Sequence, residues 1–389
     1  MLSDSLRGIR VVDFTQVAAG PVCTQTLADL GADVVKVEAP QGELCRALAP
    51  FVEGQSLGFL ALNGNKRSVA LDLKDPQQRA AALQLAAGAD VVVESFRPGV
   101  MQRLGLGYED VRQLNPGVIY CSISAYGQEG AWKHKPGVDG VLQAVSGLMS
   151  VTGLPDAPPC KVQVPVVDMV TGYIGAIAVL GALARRTRDG GGQWIDVGMF
   201  ACAVALQQMS FASYFADDVA PTRIGSAAPY AAPNEALRCA DGWVMLAAYH
   251  PSRWVALCEV LNCRELLSDP RFCELSDRIA HRRELVQLLE ARMTLRPRSE
   301  WLERFEAADI ICAPINDYSE AVASPAFKDA QLAETVRHSV AGELILPRSP
   351  LRAVGESPRA RRPAPLVGEH TSEVLRAAGI ACEGDNPCL

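Results

Sequence analysis

Twelve cysteines are scattered through the chain, at positions 23, 45, 121, 160, 202, 239, 258, 263, 273, 312, 382 and 388. No two form a Cys-x-x-Cys pair, and no paired Cys/His spacing of the zinc type occurs. This excludes the common structural zinc motifs, so no metal site is expected. Cys121 and Cys202 lie in apolar stretches, where cysteine behaves as a small hydrophobe. Glycine-rich phosphate loops are missing as well. The turn Thr15-Gln16-Val17-Ala18-Ala19-Gly20-Pro21 has one glycine, and Pro21 removes an amide donor that a phosphate would use. No Gly-x-x-x-x-Gly-Lys-Ser/Thr exists. Nicotinamide and P-loop nucleotide chemistry are thereby set aside. Positive charge is in deficit: 37 Lys and Arg against 44 Asp and Glu give a net charge of −7. A general nucleic-acid binder needs a basic face, so that partner is excluded, although a local cationic pocket for a phosphorylated ligand is not. Residues 1–7 hold no apolar signal core. The most apolar segment, 173–184, is short of a membrane span and ends in Arg185-Arg186. A reduced, cytoplasmic protein without a membrane partner is expected.

What is present is the balance of a folded soluble protein. Hydrophobic residues make up 49% and charged residues 21% of 389. That length suits about two domains, and only residues 383–389 have the composition of a disordered tail. Strand and helix signals alternate through the first 200 residues. Strands are predicted at 9–14, 33–38, 90–96, 118–124 and 193–197. Helices are predicted at 21–31, 76–88, near 108–114, and over a long small-residue stretch from 169. β-branched runs bounded by helices imply a mostly parallel sheet buried on both faces. The fold class is α/β, doubly wound. Residues 1–215 read as the first part of a large domain and 216–236 as a linker. A smaller α+β domain follows at 237–320, with a strand near 243–248 and helices near 251–261, 282–293 and 299–308. Residues 321–389 return to complete the large domain, with a last helix at 372–378.

In such a sheet, ligands bind beyond the carboxyl ends of the strands. The segments there are 14–20, 38–46, 95–103, 124–139 and the turn at Asp168. Asp168 ends the strand-like run Val164-Pro165-Val166-Val167 and opens the long helix. A carboxylate so placed is partly desolvated beside a positive helix end, which suits a positioned nucleophile. It equally suits an ordinary N-cap.

Several segments stand out when read in order: Val12-Asp13-Phe14 with Ala19-Gly20-Pro21, Leu30-Gly31-Ala32-Asp33-Val34-Val35-Lys36-Val37-Glu38, Asn65-Lys66-Arg67-Ser68, Leu71-Asp72-Leu73-Lys74, Val93-Glu94-Ser95-Phe96-Arg97-Pro98-Gly99, Arg103-Leu104-Gly105, Asn115-Pro116, Asp168 with Gly172, and Gly368-Glu369-His370-Thr371. Together they resemble family III CoA-transferases, the group that includes formyl-CoA transferase and carnitine CoA-transferase. The resemblance implies an interlocked homodimer whose large domain is built from both chain ends. It implies transfer of CoA between a short acyl-CoA, succinyl-CoA being one candidate, and a small carboxylic acid. Asp168 would be the nucleophile, passing through an acyl anhydride and an aspartyl-CoA thioester. No tightly bound cofactor is implied; coenzyme A is a co-substrate. Its contacts would fall on Ala18 and Ala19, on Leu71, Asp72, Leu73 and Lys74, on Ser95, Phe96 and Arg97, on Arg103 and on Asp139. Lys74, Arg97 and Arg103 suit phosphate, although each also reads as a solvated surface cation. Phe96 would stack on adenine or fill the core, and Asp139 would line the CoA channel or sit in a turn.

The chain departs from the family at Ser95, where asparagine is common, and at Ala39, where formyl-CoA transferase has a cation. The glycine-rich loop that shields that enzyme's intermediates is not found in the middle domain; Gly190-Gly191-Gly192 lies elsewhere and reads as a turn. Ile224-Gly225-Ser226-Ala227-Ala228-Pro229 departs from the usual Gly-Asn-Arg-His-Pro. The related α-methylacyl-CoA racemases place a histidine where this chain has Val138, which carries no proton, so racemization is the weaker alternative. A non-catalytic acyl-CoA-binding protein is the third.

Overall fold

The computed structural model describes residues 1–356 and 360–380; the tail at 383–389 lies outside the described residues. Six strands form one sheet: β1 (Arg10–Phe14), β2 (Asp33–Glu38), β3 (Arg67–Ala70), β4 (Val91–Glu94), β5 (Ile119–Ser124) and β6 (Gln193–Gly198). Their order is β3-β2-β1-β4-β5-β6, and every pairing is parallel. Pleating sends neighbouring residues to opposite faces. Val11, Val34, Val91 and Cys121 enter the core beneath α1 (Ala19–Asp29) and a long helix, while Val12, Val35, Val92 and Tyr120 enter the core beneath α2 (Pro76–Ala87) and α3 (Tyr108–Leu114). The result is a three-layer α/β unit with a mostly parallel central sheet. The order reverses between β1 and β4, and that crevice is the topological switch point.

β3 escapes the sequence reading. It is four residues long and half polar, because Arg67 bonds Asp33 (2.6 Å) and the Ser68 hydroxyl bonds Glu38 (2.6 Å). It is one of the two edge strands, and its open side is covered by the segment 362–371. The Asn65 amide N–H donates to the Arg362 carbonyl, His370 N–H to the Ser68 carbonyl, and Ala70 N–H to Thr371 Oγ1. Helix α11, the last (Thr371–Ala377), follows directly.

Between β5 and β6 lie α4 (Asp139–Val145) and α5 (Val166–Asp189). The strand-like run before Asp168 is no strand. Val166 and Val167 are already the first turn of α5, after Pro165 as its cap residue. No sheet edge is free there to pair with them, since β5 is flanked by β4 and β6. At 24 residues α5 is longer than the 12-residue apolar core read from sequence, and on length and composition it could cross a membrane. Here its Thr171, Gly172, Gly175, Ala176 and Val179 are buried in the unit's own core. After β6 come α6 (Met199–Ala205) and α7 (Gln208–Asp217).

A second compact unit comprises Met149–Cys160 and Ala220–Ala330; the first comprises Met1–Leu148, Lys161–Val219 and Gln331 onward. The short stretch Met149–Cys160, read with the first domain, thus packs with the second. The second unit has an antiparallel sheet of β7 (Asn234–Arg238), β8 (Trp243–Ala247) and β9 (Ile311–Pro314), with α8 (Pro251–Val260), α9 (Arg282–Met293) and α10 (Arg298–Ala307). Leu237, Val244, Leu246, Trp254, Leu289 and Phe305 fill its core. β7 begins inside the span 216–236 that reads as linker; Pro229 and Pro233 mask a short strand there.

Candidate active site

Asp168 is the third residue of α5, not its cap. The cap is supplied by Asp139, the first residue of α4. Its Oδ2 accepts the N–H of Val167 (2.8 Å) and of Asp168 (3.3 Å), and its Oδ1 accepts from the Gln143 side-chain amide (2.5 Å). Gln143 in turn brackets Val162, donating to its carbonyl and accepting its N–H. Asp139 is only 8% exposed with both oxygens engaged. It therefore stands behind the start of α5. The Asp168 side chain is left without a hydrogen-bond partner among the described residues. Burial, with the Asp139 charge second, pushes its carboxyl up to about 7. The positive end of α5 acts the other way, but burial prevails.

Two glycines fix where this carboxyl lies. A Cβ on Gly172 would meet Val22 Cβ at 2.5 Å and the Ala19 carbonyl at 2.7 Å, and one on Gly175 would meet Cys23 Sγ at 3.2 Å. The contacts advance together along α1 and α5, so the two helices run alongside in the same sense. Asp168, one helical turn before Gly172, therefore stands level with the N-terminus of α1 and the turn 15–19. There Ala18 and Ala19 present main-chain N–H groups with no partner among the described residues. A cavity of about 170 Å³ opens beside the next residues of this face, walled by Val22, Thr26, Leu62, Met169 and Tyr173.

The turn itself is strained. Val17 has φ +66°, a left-handed conformation that a β-branched residue adopts at a cost of about 1–3 kcal/mol. Side chains from four other places hold it. Asp13 Oδ1 accepts the Thr15 N–H (2.8 Å) and hydroxyl (2.5 Å), and Lys36 Nζ donates to the Thr15 carbonyl (2.7 Å). Gln16 N–H donates to Ser95 Oγ across the switch point (3.1 Å), and Val17 N–H donates to Glu43 Oε2 (3.1 Å). Asp13 also accepts from the Thr24 hydroxyl (2.6 Å) and from Lys66 Nζ (3.1 Å). Burial would raise the Asp13 pKa, but Lys36, Lys66 and the two hydroxyls overcome it and hold the carboxyl at about 2. Burial brings Lys66 down to about 8. Beyond the switch point, burial raises Glu94 to about 7, and its Oε2 accepts the Phe96 N–H (2.9 Å).

A buried carboxyl level with a helix N-terminus at the switch point, flanked by segments that offer cations, matches one known architecture over its whole length. The family model of CoA-transferase family III covers residues 6–371. The chain belongs to that family. It is 35% identical to succinyl-CoA:glutarate CoA-transferase of Mus musculus, over 95% of this chain and 86% of that one. Its identity to succinyl-CoA:mesaconate CoA-transferase of Haloarcula hispanica is 37%, over 97% of both. Among solved structures, Rv3272 from M. tuberculosis superposes with a TM-score of 0.86 at 35% identity, covering 95% of this chain and 99% of that one.

In this family III CoA-transferase the predicted contact residues separate into groups. Lys74, Arg97 and Arg103 are exposed and have no ion pair among the described residues. Lys74 follows β3 and Arg97 follows β4, strands that themselves lie three spacings, roughly 14 Å, apart. Leu71 is 3% exposed and belongs to the core, and its N–H donates to the Glu38 carbonyl (2.8 Å). Asp72 accepts the Lys74 N–H (2.9 Å), which shapes the turn around Leu73. Phe96 is half-buried against the same core. The residues that sequence reasoning missed as a working set are Asp13, Lys36, Glu43 and Lys66. The signal was there for two of them: a charge inside a strand buried on both faces, as in Val12-Asp13-Phe14 and Val35-Lys36-Val37, demands a buried partner.

Proposed function

We propose that this CoA-transferase exchanges CoA between a short acyl-CoA, with succinyl-CoA as donor, and a small dicarboxylic acid, through covalent intermediates on Asp168. The Asp168 carboxylate attacks the thioester carbonyl, the C–S bond breaks, and CoA leaves as the thiolate with a mixed anhydride formed. The thiolate then attacks the aspartyl carbonyl, releasing the donor acid and leaving an aspartyl-CoA thioester. The acceptor carboxylate attacks that thioester, its C–S bond breaks, and CoA leaves again as the thiolate with a second anhydride formed. CoA thiolate attacks its acceptor carbonyl, which yields the new acyl-CoA and frees Asp168. Splitting the exchange in this way keeps the thioester energy from water.

The observation that carries this reading is the Asp168 carboxyl: half-buried, unpartnered, and level with the Ala18–Ala19 N–H groups at the switch point. Lys74, Arg97 and Arg103, exposed and without ion pairs among the described residues, would meet the phosphates of an extended CoA, and that remote binding would support the reacting end. The choice of succinyl-CoA and a dicarboxylate rests on the relatives that act on glutarate and mesaconate. A homodimer in a reduced cytoplasm completes the proposal. Exposed apolar side chains on α4 (Val141, Val145), α5 (Tyr173, Ile177) and α7 (Met209, Phe215) support a partner copy.

The test is to mix the enzyme with succinyl-CoA, quench with hydroxylamine or borohydride, and map the modified peptide. Label at Asp168 is expected. Asp168→Ala is expected to abolish exchange while CoA affinity, read by calorimetry, stays within about three-fold. Ordinary turnover in that variant overturns the reading.

A further inference from the structure

We infer that Glu43 is a positioning residue for the transfer step: through the Val17 N–H it keeps the turn 15–19 in the shape that faces Asp168. The inference rests on the reading that the thioester is attacked beside this turn. Glu43 is 5% exposed and lies outside the turn, after β2. Its Oε2 accepts two main-chain N–H groups, Val17 (3.1 Å) and Cys45 (2.7 Å). The Cys45 bond caps the short helical turn Leu44–Ala47, which fixes the carboxylate from its own side. Its Oε1 lies 3.5 Å from Lys36 Nζ, and Lys36 holds the Thr15 carbonyl. Three consecutive residues of the turn are thus each gripped by a different segment, and among the described residues Glu43 alone hydrogen-bonds the one whose backbone is left-handed. A residue in that conformation persists only where its surroundings over-determine it. With the Glu43 bond removed, Val17 is free to return to an ordinary φ, and Ala18 and Ala19 turn with it.

The prediction separates positioning from general support of the fold. In Glu43→Ala, single-turnover labelling of Asp168 by succinyl-CoA should slow by about 10- to 100-fold. KM for the acyl-CoA should move less than about three-fold, since the phosphate contacts lie elsewhere. Glycine takes a positive φ at no cost, so adding Val17→Gly should restore most of the lost rate. A Glu43→Ala enzyme that labels at the wild-type rate overturns the inference, as does a loss that Val17→Gly leaves untouched. If Glu43→Ala proves too unstable to purify, Glu43→Gln replaces it, because its amide oxygen still accepts the Val17 N–H. A rate within about three-fold of wild type then supports the assignment, as does a larger loss that Val17→Gly restores; a larger loss that it does not restore overturns it. Absence of label at Asp168 in the wild type itself refutes the covalent reading and not this one.

Discussion

In the proposed mechanism, a group that must be ionised to act is held where ionisation is resisted. Asp168 titrates near 7 because burial, and then the Asp139 charge, disfavour its anion. As nucleophile it works only when deprotonated, so the single-turnover labelling rate should rise through a midpoint near pH 7. Asp139→Asn keeps an oxygen for the Val167 N–H but removes the second cause. Its midpoint should move to lower pH and stay above the ordinary aspartate value of 3.8, because burial remains. The same shift acts on stability. Below about 3.8 the group is protonated in both folded and unfolded chains and contributes nothing. Between 3.8 and about 7 the unfolded chain ionises first, so folding loses ground as pH rises, and above 7 the deficit is constant. Asp168→Asn should therefore raise Tm, by an amount that grows from about pH 4 to pH 7 and then levels. Thermal melts across that range check it; a gain that does not depend on pH refutes the assignment.

At the scale of elements, the site depends on how closely α5 approaches α1. Gly172→Ala forces a methyl into Val22 and the Ala19 carbonyl. It should cost roughly 1–3 kcal/mol and lower the transfer rate, because α5 carries Asp168. Gly181→Ala, on the same helix with nothing within 4 Å, should instead stabilise by about 0.5–1 kcal/mol. Chemical denaturation of the pair measures both. The elements also show what the sequence discloses. Five of the six sheet strands and helices α1, α2, α3 and α5 follow from β-branched runs and from proline and glycine punctuation; α4, α6 and α7 do not. Asp168 is legible as a carboxylate between an apolar run and a helix, whereas the cations at 74, 97 and 103 stand out only through the family resemblance. Hidden from that reading are features made by tertiary contact. The start of α5 has the composition of a strand but no sheet edge to join. Asp139 has the spacing of a turn residue, yet caps a helix 28 positions later. Glu43 stands in a polar loop, and nothing in its neighbours announces that its partner is Val17.

At the scale of the whole molecule, the proposed homodimer predicts a solution mass of twice the 41.6 kDa chain. If the chains pass through each other, dilution should not release monomers short of unfolding, because separation then requires threading one chain out of its partner. Light scattering across a dilution series tests this. A concentration-dependent monomer that retains native circular dichroism rules out the interlock.

The docking of residues 362–371 along β3 has a further consequence, for synthesis. Gly368 N–H reaches the Ser68 hydroxyl across 300 positions. At about 5–20 residues per second, the strand that ends the sheet waits tens of seconds on the ribosome before its covering segment exists. Throughout that interval its main-chain donors and acceptors are open to any passing strand. A chain truncated before residue 362 should therefore emerge as aggregate, while the full-length chain stays in the supernatant.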